Sequence, residues 1–216
     1  MMNRRWYLAA LFMAAAIAQS IGPYPAHWWT PVPDDQKASW EILPQAAKPG
    51  EVILSKRNEL GILSNFAATP FMFRGVRYAS VEGFWQMMLY PENPSDPRAA
   101  PGIVWPHARS EVASMVAFEA KDAGDAAEKN MARLRIYWVT FEGKRIEYRS
   151  KNKAEHYRLI VSAMRAKLDQ NPKVREVLLA TGNLILRPDH FEEASAPPEW
   201  RYFQIWMELR SELQHH

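Results

Sequence analysis

The sequence contains no cysteine, which excludes disulfide bridges, a cysteine nucleophile and thiolate metal sites. Its six histidines, two of them the terminal pair His215-His216, show neither HxH nor HxxxH spacing. Neither a metal nor a cofactor is therefore expected. A strong charge of one sign is also missing, because the formal net charge is +3 with 27 basic and 24 acidic residues interleaved. A protein that tracks a nucleic-acid backbone needs a clear basic surplus, so no such partner is expected. Long hydrophobic runs are absent too. The apolar stretch from Trp6 to Ala18 has 13 residues, short of the ~20 that a spanning helix needs, so no stable membrane span is expected. Arg4 and Arg5 precede it and Ala16-Ile17-Ala18 closes it. That is the pattern of a secretory signal over residues 1–18. Its removal takes away two arginines and no acid, which lowers the charge of +3 to +1. The expected location is secreted or periplasmic, or cytoplasmic if the start codon is mis-assigned.

What is present suffices for one domain, with 216 residues of which 48% are hydrophobic. Residues 19–50 carry Pro23, Pro25, Pro31, Pro33, Pro44 and Pro49 with few periodic apolar positions. They predict an irregular N-terminal arm, pinned by Trp28, Trp29 and Trp40. From residue 51 to 214 the pattern is ordered. Phe71, Phe73, Val76 and Tyr78 alternate about Arg74-Gly75, a hairpin signal. Ser80 stands at an N-cap position, and Val81, Phe84, Trp85, Met88 and Leu89 follow at helical spacing. The alanine-rich segment from Ser110 to Leu134 places Val112, Met115, Val116 and Ala120 in helical register. A second hairpin is predicted with Ile136, Trp138 and Thr140 on one face, Glu142-Gly143 at the turn, and Ile146 and Tyr148 returning. Tyr157, Ile160, Val161, Met164 and Leu168 form a helical stripe. Asn171-Pro172 opens a helix that Gly182 closes, and Tyr202, Trp206, Leu209 and Leu213 mark a last one. The fold class is mainly helical α+β, with small β-hairpins.

The candidate site residues each have a structural reading beside the functional one. Glu82 stands in the first turn of its helix among apolar and aromatic neighbours. It is either a carboxylate favoured by the helix dipole and exposed to water, or the acid of a cleft rimmed by Tyr78, Trp85 and Gln86. Lys167 lies beside the apolar stripe, where its stem can pack while its amine reaches water or a cleft. Asn65, in Ser64-Asn65-Phe66, is most simply a turn residue bonded to its own backbone. Asp189 and His190 follow Pro188 in a loop, where such a pair either makes a turn or serves a binding site.

Taken together, the stretches ELGILSNFAATPFMFRGVRYASVEGFWQ, SAMRAKLDQNPKVREVLLATG, PDH and WMELRSEL resemble the NADAR family, also called YbiA-like, from about Glu51 to Leu213. The family pattern of an SNF stretch, a hairpin-to-helix junction carrying a glutamate, AL-x-AKF, LL-x-TG, an acidic-His pair and a final M-x-x-R helix is matched in order. The matches are Ser64 to Phe66, Gly75 to Gln86, Ala163 to Leu168, Leu178 to Gly182, Asp189-His190, and Met207 to Arg210. The resemblance implies a YbiA-like helical domain and N-glycosidase chemistry, cleavage of a C–N bond between ribose and a base or amine. The small-molecule substrates it implies are phosphorylated riboflavin-biosynthesis intermediates or ADP-ribose conjugates. It implies Glu82 as the catalytic carboxylate, with Asp189 or His190 assisting the leaving amine or holding ribose hydroxyls. It further implies Asn65 bonding substrate, Lys167 meeting a phosphate, and an aromatic ring from Trp85, Trp138 or Trp200 stacking on the base. The sequence departs from that pattern at Gly83, where the family has histidine, at Leu89, where it has lysine, and before the last helix, where PPEWRYFQIW replaces a glycine-rich loop. Those departures set out the alternative, an inactive exported ligand-binding or interaction module.

Overall fold

The structure, a computed structural model, describes residues 24–215. The signal expected at residues 1–18 and the first part of the arm lie outside the described residues. The described residues form six α-helices: α1 (Val81–Met87), α2 (Arg109–Val112), α3 (Ala117–Leu134), α4 (Glu155–Gln170), α5 (Pro172–Ala180) and α6 (Tyr202–Gln214). Among the described residues, six short strands make three two-stranded sheets. Strands β2 (Phe71–Phe73) and β3 (Val76–Tyr78) form one hairpin, and β4 (Trp138–Phe141) and β5 (Lys144–Glu147) the other. The fold is mainly helical α+β with small hairpins, as the periodicity predicts.

Helix α1 is the element around which the rest is arranged. Its cap forms as expected, since the Ser80 hydroxyl oxygen accepts the Gly83 N–H at 2.9 Å and so satisfies an otherwise orphaned amide. Val81, Phe84, Met88 and Leu89 are fully buried and Trp85 nearly so. The helix thus packs against α2, α3 and α4 on most of its surface. Truncating a ring such as Phe84 in so closed a core costs about 3–5 kcal/mol.

Several expectations are corrected. The segment from Ser110 to Leu134 is two helices, not one, broken at residues 113–116 with Ala117 at φ +52°. The break frees carbonyls for the start of α1: Met115 O accepts from Ser80 Oγ (2.9 Å) and Ala113 O from the Ala79 N–H (3.1 Å). In the second hairpin, Val139, Phe141 and Ile146 face the core. The predicted face of Trp138 and Thr140 instead meets the guanidinium groups of Arg98 and Arg109. A parallel pair between β1 (Glu51–Ile53) and β6 (Ile185–Arg187) had no local signal, because it joins segments far apart in sequence. The described part of the arm is laid against the domain through three 3-10 turns. Trp28 is in the core and the Trp29 indole donates to Glu51 O at 2.9 Å.

Candidate active site

The segment that precedes the β2–β3 hairpin is held from behind by two helices. The Lys167 amine of α4 donates to Ser64 O (2.8 Å) and the Trp206 indole of α6 to Leu63 O (2.6 Å). Asn65 O then accepts the backbone N–H of Glu82 (3.0 Å). Successive carbonyls are therefore fixed, and the Asn65 side chain is left facing a cavity of about 600 Å³ beside Glu82 and Gln86.

Glu82 is only 8% exposed. Its carboxylate has one side-chain partner, the Gln86 amide, which donates to Oε1 at 2.7 Å. Burial disfavours the charged form, and the single hydrogen bond offsets this only in part, so the Glu82 pKa is pushed up to about 7. Gln86 is itself seated over Gly124 of α3, where a Cβ would come within 1.9 Å of Gln86 Oε1. That oxygen and Asn65 Oδ1 are buried without a hydrogen-bond partner. Asn65 is in a turn, closed by the Ala67 N–H to Ser64 O bond at 3.2 Å, but its side chain does not bond that turn: the adjacent Ser64 Oγ accepts the Phe66 N–H at 3.2 Å in its place. Buried polar atoms without partners are costly and mark a place that a ligand can satisfy.

Around this floor the wall is aromatic. Trp40 and Phe66 each pack edge-on against Phe118, at ring-centroid distances of 5.9 and 5.2 Å. Trp85 donates to the Tyr148 hydroxyl at 3.3 Å, and Arg149 lies over the rings of Tyr148 and Trp200. Behind Trp85 and Tyr148, His156 packs edge-on against both rings and bonds Glu199 at 2.8 Å, with both members of the pair fully buried. Glu199 adjoins Trp200, so the pair fastens that wall residue to α4.

The expected residues fare differently. Glu82, Asn65, Trp85, His190 and Trp200 all line the cavity. Asp189 does not, which corrects its place among groups that touch substrate. It is fully buried, bonded to the Lys56 amine at 2.6 and 2.8 Å and to His190 Nδ1 at 3.1 Å. Burial would raise its pKa, but the His190 bond and the Lys56 ammonium more than offset that, and the carboxyl stays below the usual range. Asp189 orients the two neighbours that do reach the cavity. Lys167 is a second correction, since a phosphate cannot meet it: it is completely buried, 5.7 Å from the Trp206 ring centroid, and desolvation pulls its pKa down to about 7. Trp138 is the third. It packs against Arg98 and Arg145, at 5.0 and 4.4 Å, and lies off the cavity wall.

Sequence reasoning missed Lys56, Phe66, Phe118, Tyr148 and Arg149 as wall residues, and had Trp40 only as an anchor of the arm. One usable signal was present: Gly124 sits mid-helix in an alanine-rich run, a placement that costs about 1 kcal/mol against alanine and marks a close approach. Gly83 has a similar explanation, because a Cβ there would lie 2.6 Å from Met115 O and 2.9 Å from Val112 O. A side chain at that position is excluded by backbone.

A desolvated carboxylate, an unpaired carboxamide oxygen and an aromatic wall meet at one cavity of an α+β helical domain, the features of a small-molecule binding site. No family model and no curated protein matches the chain. Among solved structures it is similar to the NMR structure of the E. coli protein YbiA, at a TM-score of 0.45 and 20% identity, over 76% of this chain and 86% of that one.

Proposed function

We propose that the protein is an N-glycosidase that hydrolyses the C–N bond between ribose and a base or amine, with Glu82 as the catalytic carboxylate. The observation that carries this reading is a cavity-lining glutamate, desolvated to a pKa of about 7, beside a carboxamide with no protein partner. In the reaction, the C1′–N bond breaks with its electron pair passing to nitrogen, and the ribosyl carbon takes on oxocarbenium character. Water attacks C1′ and gives its proton to Glu82. A carboxylate titrating near neutrality is suited to accepting that proton and to stabilising the positive charge. His190, oriented by Asp189 and stacked on Tyr202 at 6.1 Å, is placed to protonate a neutral leaving nitrogen. Asn65 holds sugar hydroxyls, and Trp85 and Trp200 flank the base.

The alternative is a ligand-binding module without turnover. It is favoured by Gly83, whose position admits no catalytic side chain. Incubation with a panel of N-ribosides and reading of released base by mass spectrometry separates the two. The proposal expects release that Glu82→Gln reduces by ~10²–10⁴-fold; unchanged release in that variant sinks the mechanism, and binding without release favours the module. We also propose export, with cleavage after Ala18.

A further inference from the structure

The charges around the cavity argue about the substrate's own charge. Three permanent cations line it, Lys56, Lys121 and Arg149, together with His190, which is bonded to Asp189, against five carboxylates, Glu82, Asp125, Glu128, Glu192 and Glu193. Each cation is already matched: Lys56 with Asp189 (2.6 Å), Lys121 with Asp125 (2.6 Å) and Arg149 with Glu128 (2.5 Å). The amides that open α1 are used as well, since Glu82 N–H goes to Asn65 O and Gly83 N–H to Ser80 Oγ. Phosphate recognition needs an unmatched Arg or Lys, or free helix-terminal amides. None of the described cations lining the cavity is unmatched. Glu192 and Glu193 add negative charge at the wall, where a phosphate would meet repulsion.

The aromatic rings point the same way. Of the large apolar side chains that are exposed, Trp40 (40%), Phe118 (47%), Phe191 (80%) and Trp200 (40%) converge on this one cavity. Exposed rings gathered around an acidic floor suit a planar group, and a cationic one best, through stacking and cation–π attraction.

Resting on the glycosidase reading, we infer that the substrate is an unphosphorylated N-riboside of a planar base, and that a cationic base is preferred over a neutral one. A cationic base also simplifies the chemistry. The C1′–N electron pair neutralises the ring nitrogen as it leaves, so no acid is required. Water supplies the oxygen at C1′, and its surplus proton passes to Glu82. The products are ribose, a neutral base and one proton.

The test uses a matched pair, nicotinamide riboside and its 5′-monophosphate, with calorimetry on the Glu82→Gln chain and base release by the wild-type chain. The inference expects the riboside to bind about tenfold tighter, a gap that narrows with added salt and in a Glu192→Gln/Glu193→Gln variant. Equal or tighter binding of the monophosphate overturns it, as does failure of both to bind at millimolar concentration. A riboside that binds preferentially but is not cleaved leaves this inference standing and removes the glycosidase reading. Cleavage of both with the monophosphate preferred does the reverse.

Discussion

Helix α1 has buried charge on both flanks, and the two flanks are built on opposite plans. On one, Arg98 is fully buried and makes four side-chain hydrogen bonds: to Asp96 at 3.1 and 2.7 Å, to Met88 O at 2.7 Å, and to the Thr140 hydroxyl. Arg109 adds bonds to Tyr90 O (2.8 Å) and Thr140 O (2.6 Å). Burial would raise the Asp96 carboxyl, but the hydrogen bonds from Arg98 and the guanidinium charge overcome it and hold the pKa near 2. On the other flank Glu82 has one side-chain partner and a pKa of about 7, and Asn65 Oδ1 and Gln86 Oε1 have no partner. A satisfied network rigidifies a core, whereas an unsatisfied one beside a cavity is set up for something that binds.

The largest expected effect distinguishes the flanks by sign. Because the folded Glu82 pKa lies above its ordinary value, the folded chain holds more protons than the unfolded between pH 4.5 and 7. Stability from this group is thus full below pH 4.5, falls across that window, and is lost by about 3 kcal/mol above it. Glu82→Gln should therefore raise Tm at pH 8, with little change at pH 4.5, even as it lowers base release by ~10²–10⁴-fold. Differential scanning calorimetry at the two pH values reads this. Arg98→Met should act in the reverse sense. It strands a buried Asp96 carboxylate and should cost about 3–5 kcal/mol, lowering Tm by ~10 °C. A smaller pair of variants sharpens the contrast. Gly83→Ala drives a methyl into the Met115 and Val112 carbonyls and should destabilise, whereas Gly124→Ala meets only the movable end of Gln86. That second variant should keep Tm within a few degrees but displace the Glu82 partner, lowering kcat more than it raises KM. Least in energetic consequence, sequencing of the exported chain should find Gln19 at its N-terminus, and Met1 or Met2 would refute export.

What could be seen in the sequence follows from how local each feature is. The Ser80 cap, the turns at Arg74-Gly75 and Glu142-Gly143, and the stripe through Trp206 depend on neighbours within a few residues, and the structure forms all of them. The resemblance picked out Glu82, Asn65, Trp85, His190 and Trp200, which the fold brings to one cavity. Lys167 could not be placed correctly, because its partners, Ser64 O and Trp206, come from other segments. Trp40 reaches the cavity because Ile42 N–H is bonded to Asp189 O at 2.6 Å and Glu41 to Arg57 at 2.6 Å. Such contacts between distant residues leave no periodic trace. The α2 to α3 break was hidden for the opposite reason: alanine-rich sequence is permissive, and the carbonyls required by α1 decided where the helix stops.

The account turns on the difference between two carboxyls, and one titration measures both. Carboxyl carbon chemical shifts followed by NMR from acid to alkaline pH should show Glu82 titrating near 7 and Asp96 near 2. A Glu82 midpoint at its ordinary value of 4.5 would mean a solvated surface residue, and would contradict its assignment as the catalytic carboxylate.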